Sequence, residues 1–310
     1  MFENLIQVGE PVAHRGVVIT PLYPRHDARA PYLTLEDAVP RGLRIEEVSA
    51  AGAVPELRVV NPLDEHVLLY DGEELVGAKQ NRILNVSVLV GAKTELEIPV
   101  SCVEEGRWRQ VSPSLATASH AGNPRLRRRK AASLRADPLA RGLAQSEVWD
   151  EVRSMRSRMD VPSPTGASTD AYRRFEQPLA ELERAFPLQP GQSGSVLALG
   201  DDLCLDYVSR PDAFACLYPK LLRGYLLDAL ERLDGPATRR ERVRGFASEV
   251  VSARRTSRPS AGLGEDVRLE SPGVIGSGLV LDGEVLQLSA FTSGREGRTL
   301  GRIARPSARR

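Results

Sequence analysis

Between Asp71 and Arg82 the chain reads Asp71-Gly72-Glu73-Glu74-Leu75-Val76-Gly77-Ala78-Lys79-Gln80-Asn81-Arg82. Two carboxylates, a lysine, two amides and an arginine fall within positions 73–82, inside a region otherwise patterned as apolar strands. A sheet built only for stability gains nothing from such a mixture. The density points to a site for a polar, anionic ligand. Gln80 and Asn81 carry donors and acceptors suited to a base edge, a ribose or a carboxamide. Lys79 and Arg82 can balance phosphate charge, the arginine in bidentate fashion. If 73–77 is a strand, Glu73, Leu75 and Gly77 share one face and Glu74 and Val76 the other, so one glutamate alone enters a pocket. Gly77 permits close backbone approach or a bulge that re-aims its neighbours. The competing reading is a strand end whose polar groups only tie down a loop.

A second cluster, Cys102-Val103-Glu104-Glu105-Gly106-Arg107-Trp108, follows twenty residues later. Glu104 and Glu74 are the candidate general acid/base groups, and Glu104 could equally accept a ribose hydroxyl. Cys102 is a candidate nucleophile if a cation such as Arg107 lowers its pKa, against the plainer role of a small buried residue. Trp108 could stack on a planar ligand or cap the core. The candidate ligand-binding set is Glu73, Gly77, Lys79, Gln80, Asn81, Arg82, Arg107 and Trp108. Other patterns fail. Gly191-Gln192-Ser193-Gly194-Ser195 lacks the glycine spacing of a nucleophile elbow, and Gly273-Val274-Ile275-Gly276-Ser277-Gly278 leads into a strand rather than a helix. The four histidines are dispersed and no His/Cys pair has zinc-ligand spacing, so no metal ligands are assigned.

Short Val/Ile/Leu-rich runs fill the first hundred residues, punctuated by Asn61-Pro62, Asp71-Gly72 and Gly91-Ala92. Asp71-Gly72 reads as a two-residue hairpin turn, since both positions favour positive φ. The fold class expected is α+β: an antiparallel, β-sandwich-like N-terminal half and a C-terminal half mixing helices with β-hairpins. Residues 113–143 are rich in Ser, Ala and Arg, and Arg125-Leu126-Arg127-Arg128-Arg129-Lys130 reads as a solvated connector. Helical spacing follows from Ser146 to Met159. A second helix starts near Ser168 with Tyr172, Phe175, Leu179, Leu182 and Phe186 on one face and a kink at Pro178. Strands return at Val196–Leu199 and Leu203–Tyr207. A long amphipathic helix spans about 212–233 and another runs from Pro236 into the 250s. A final hairpin turns at Asp282-Gly283. The division expected is one integrated domain over 5–292, with a β-rich lobe at 5–112, a helical connector at 113–190 and an α+β lobe at 191–292, and a disordered Arg-rich tail at 293–310.

With 42 basic and 41 acidic residues in 310, the net charge is +1, which argues against a nucleic-acid partner or an acidic membrane surface. Only Lys79, Lys93, Lys130 and Lys220 are lysines. No targeting signal opens the chain and no run is long enough to cross a membrane. Three scattered cysteines give no disulfide framework, so a cytoplasmic setting is expected.

The two clusters resemble a bacterial family named for its association with ADP-ribosylglycohydrolase and rhodanese-phosphatase superfamily proteins. The likeness runs through Gly72-Glu73-Glu74, Gly77 to Arg82, Pro99 to Glu104 and Gly106-Arg107-Trp108. It continues at Gln145 with Val148-Trp149, at Ser163 to Ala167, at Gly191-Gln192 with Gly194, at Asp206, and from Lys220 to Tyr225. It covers most of residues 5–292. The resemblance implies action on, or binding of, an NAD- or ADP-ribose-related nucleotide. Family members carry a histidine in the final hairpin where this chain has Gln287, which counts against catalysis through that position. The leading expectation is therefore an enzyme, a hydrolase of a nucleotide or ADP-ribose-like substrate, with a divalent cation such as magnesium as a conceivable cofactor. The alternatives are a non-catalytic sensor of the same ligand class and a protein-interaction scaffold.

Overall fold

The computed structural model describes residues 4–49, 51–53, 55–136 and 141–294. The fold is α+β, with three sheets. The largest orders its strands Ile6–Val8, Val17–Pro24, Gly194–Leu199, Asp202–Val208, Glu284–Thr292, Val274–Leu281, Glu265–Glu270 and Arg254–Pro259, and Val12–His14 also pairs with Val17–Pro24. Every pairing in it is antiparallel. Its central strands are buried on both faces, which is why they read as unbroken apolar runs rather than alternating ones. Val18, Val196 and Leu205 meet Val243, Phe246 and Val250 of the helix Arg240–Ser252 on one face. Ile19, Leu197 and Phe291 meet Phe214, Leu221 and Tyr225 of the long helix Pro211–Leu230 on the other.

The six-stranded sheet runs Leu115–Ala121, Glu73–Gly77, Arg82–Leu84, Thr94–Cys102, Glu56–Asn61 and Arg44–Glu47. A three-stranded sheet, Val88–Val90, Val67–Leu69 and Leu33–Thr34, shares one core with it through Leu57, Leu69, Leu75, Val88 and Ile98. This pair is the sandwich-like part of the N-terminal half. Sheet membership nevertheless crosses the lobe boundaries drawn from sequence, because the first three strands join C-terminal strands in the large sheet.

Three local readings need correction. Asp71-Gly72 is a turn but not a hairpin: only Gly72 takes a positive φ, at 90°, and the strands on either side enter different sheets. Lys130 pairs with the Asp71 carboxylate and Ser87 Oγ accepts the Asp71 N–H at 2.8 Å, so tertiary partners set this turn. At Asp282-Gly283 both residues do take positive φ, 46° and 79°, and the hairpin forms as read. The second correction concerns 125–130. These residues lie in a helix, Pro124–Ala136, whose Arg127 and Lys130 are fully buried, so the run is no solvated connector. The kink expected at Pro178 is a break at Phe175 between helices Thr169–Arg174 and Glu176–Glu183. Pro178 sits in the first turn of the second, where its missing N–H is harmless. The expected tail lies outside the described residues from 295 onward.

Candidate functional site

Strands Glu73–Gly77 and Arg82–Leu84 pair antiparallel through Glu74↔Ile83 and Leu75↔Arg82, so Ala78 to Asn81 form the loop of a true hairpin. Gly77 and Ala78 both adopt positive φ, 120° and 41°, which turns successive carbonyls outward. Arg107 receives them: its Nη1 donates to Ala78 O at 2.8 Å and its Nη2 to Gly77 O at 3.2 Å. A left-handed alanine is strained, and this clamp together with Ser112 Oγ, which accepts the Ala78 N–H at 2.9 Å, offsets the cost.

Alternation then splits the loop. Asn81 faces one side, where its Oδ1 accepts from Arg107 at 3.1 Å and from the Gly77 N–H at 3.2 Å. Gln80 and Arg82 face the other. Gln80 is buried and bridges, donating to Glu104 O at 2.9 Å and accepting from Arg82 Nη1 at 3.0 Å.

Glu104 is where the two clusters meet. One carboxylate oxygen accepts the Asn81 N–H at 3.0 Å and Arg107 Nη2 at 2.7 Å, and the other accepts the Thr165 hydroxyl at 2.8 Å. Burial opposes its charge, but the hydrogen bonds from Arg107, Thr165 and Asn81 prevail and hold Glu104 below the usual carboxylate range. A cleft of about 240 Å³ opens beside it, lined by Gly77 and Asn81 from the first cluster, by Glu104 and Arg107 from the second, and by Thr165, Asp170 and Arg173.

The remaining sequence candidates are placed as follows. Glu74 is buried next to the cleft, not in it. It accepts from Ser168 Oγ at 2.7 Å and lies 3.2 Å from His120 Nε2, and the His120 ring stacks on Tyr172 at 3.5 Å. Glu73 faces the opposite way, as alternation requires, and takes Lys220 Nζ at 3.1 Å. Cys102 is buried. Burial pushes its thiol up, and its Sγ donates to Glu104 O at 3.2 Å. That is the environment of an inert thiol rather than a nucleophile. Lys79 Nζ is held on Ala51 O at 2.6 Å, and Trp108 lies over both Lys79 and Arg82. Thr165 appears in the sequence only within the likeness at Ser163 to Ala167, and Asp170 and Arg173 go unread because a helical apolar stripe says nothing about the polar face beside it. Glu104 is engaged through both oxygens. Among the described residues, moreover, no three His, Cys, Asp or Glu side chains gather as metal ligands.

A second polar centre lies deep between the sheets. Asp206 and Arg127, both wholly buried, form a two-pronged pair at 2.9 and 2.6 Å. Tyr70, Tyr225 and Ser289 also donate to Asp206, at 2.6, 2.5 and 2.9 Å, and Gln287 donates to Ser289 at 2.6 Å. Burial works against the charge, yet the Arg127 guanidinium outweighs it and holds the Asp206 carboxyl down at about 2. The sequence signal was an aspartate inside the apolar run Leu203-Cys204-Leu205-Asp206-Tyr207.

The class defined by this arrangement is an α+β protein with a polar hairpin loop and a polar strand end closing on one cleft. The chain belongs to the family described as the ARG and Rhodanese-Phosphatase-superfamily-associated Protein domain, ARPP-1, which matches residues 5–291. No curated protein and no solved structure matches it. No helix among the described residues is long and apolar enough to cross a membrane.

Proposed function

We propose that the cleft beside Glu104 binds a small, hydroxyl-bearing anion of the nucleotide or ADP-ribose class, and that the protein serves as a binding or sensing module for it. The observation that carries this reading is the meeting of Asn81, Glu104 and Arg107 at one cleft, with Glu104 held ionised. A carboxylate fixed by three donors is a good acceptor for ribose hydroxyls and a poor proton donor. Arg107 spends its N–H groups on Gly77, Ala78, Asn81 and Glu104, so it shapes the loop. The phosphate partner is then Arg173, whose side chain is 78 % exposed at the cleft and pairs there with Asp170 at 3.1 Å, a contact the ligand must share or displace.

Hydrolysis of the same ligand is the second reading. It is favoured by one feature: Glu74 Oε1 and His120 Nδ1 are buried with no hydrogen-bond partner among the described residues, and Glu74 is held by Ser168, which lies between the cleft residues Ala167 and Thr169. Calorimetric titration with ADP-ribose, NAD and AMP, with and without magnesium, tests both. Saturable binding that weakens roughly tenfold or more in Glu104→Gln and Arg173→Ala, with no product by chromatography after long incubation, supports the sensor. Product that disappears in Glu74→Gln supports the hydrolase. No binding by any of the three ligands removes both.

A further inference from the structure

Arg82 is fully buried, yet one edge of its guanidinium is unused. Nη1 donates to Gln80, whereas Nε and Nη2 have no hydrogen-bond partner among the described residues. Those two N–H groups form the side-on fork that receives two oxygens of one carboxylate or phosphate. Glu47, the acid paired with it, does not fill the fork: its Oε1 is 4.0 Å from Nη2 and already accepts the Lys79 N–H at 3.1 Å, and its buried Oε2 makes no hydrogen bond. A guanidinium buried with an empty fork is costly, and burial is the main cause that lowers the Arg82 pKa. Two matching oxygens placed on that edge would relieve the cost.

The cover over this fork is only partly packed. Trp108 lies with its ring 5.6 Å from the Arg82 guanidinium carbon and 5.3 Å from Lys79 Nζ. It is nevertheless 47 % exposed, on a segment, 105–114, that forms neither helix nor an extended strand. Displacing a half-exposed ring forfeits only part of a buried side chain's apolar contact. Lys79 and Arg82 thus lie against one aromatic ring. We propose that Trp108 is a displaceable cover over a second, separate anion site, in which the Nε–Nη2 edge of Arg82 takes a small phosphate or carboxylate group. This site lies on the face of the 78–82 loop opposite Asn81 and does not depend on the reading of the cleft.

The chain has two tryptophans, so Trp149→Phe leaves Trp108 as the sole indole reporter. Sodium phosphate and sodium acetate are titrated into this protein, with sodium chloride at matched ionic strength as the control. The expected result is a saturable change in Trp108 emission with phosphate, acetate or both, flat in chloride, and weakened roughly tenfold or more by Arg82→Gln. Phosphate alone or acetate alone identifies which oxyanion fits. A flat response to both, a response matched by chloride, or an unchanged midpoint in folded Arg82→Gln overturns the proposal. Should Arg82→Gln fail to fold, acrylamide quenching of Trp108 in the Trp149→Phe protein decides. Quenching that rises on anion saturation supports displacement of the ring, and constant quenching overturns it.

Discussion

Arg127→Met removes the cation from the deepest ion pair in the molecule while keeping most of the side-chain volume. Asp206 then loses both guanidinium donors and retains the hydroxyls of Tyr70, Tyr225 and Ser289. Breaking a buried pair by removing one partner costs about 3–5 kcal/mol, and the three surviving donors place this case near the lower end. In a chain of this size that is a drop in Tm on the order of 6–10 °C. The cost is also pH-dependent, with a definite sign. In the parent protein Asp206 is depressed from 3.8 to about 2, so its contribution is present above 3.8 and fades as the pH falls toward 2. Without Arg127, burial pushes the carboxyl above 3.8, and the variant regains stability once Asp206 is protonated. Urea denaturation followed by circular dichroism should therefore show the widest gap between parent and variant at pH 7 and a narrower one at pH 4. A loss below about 1 kcal/mol, or an equal loss at both pH values, would refute the view of Arg127 as the counter-charge that Asp206 requires.

Three further outcomes are expected. Gly72→Ala should destabilise by about 2 kcal/mol or more in thermal melts, because φ is 90° and the added Cβ would lie 2.5 Å from Arg127 Nε. Iodoacetamide at neutral pH should label Cys216 well before the buried Cys102 and Cys204, as read by peptide mass spectrometry; early labelling of Cys102 would restore it as a nucleophile. Burial raises the carboxyl of Asp228 from 3.8 to about 6, although it accepts from Asn123 Nδ2 and the Arg125 N–H, so its contribution is lost as pH rises from about 4 through 6. Asp228→Asn should flatten that part of the Tm-against-pH curve.

Local signals were read well where they needed no distant partner. The long helix was expected at 212–233 from Phe214, Leu217, Leu221 and Tyr225 and is found at Pro211–Leu230, because an apolar stripe at that spacing has one sensible use. Strand alternation correctly sent Glu73 and Glu74 to opposite faces. The errors arose where distant residues decide. Charges at 125–130 read as solvated because their partners are remote in sequence: Asp206 is 79 positions from Arg127, and Asp71 is 59 from Lys130. The same distant lysine holds Asp71 in a turn its own preference did not dictate. Of the cleft, the two clusters were legible as unusual polar density. Their shared wall at 165–173 was not, since nothing in the local pattern reports which loop folds back onto Glu104.

The helix Pro124–Ala136 reaches both ways: Arg127 grips Asp206 in the large sheet, and Lys130 pairs with Asp71 where the chain passes between the smaller sheets. A fragment ending before Pro124 strands Asp71, and a fragment beginning after Ala136 strands Asp206. Each piece alone is expected to be less stable than the intact chain, since each keeps a buried acid without its cation.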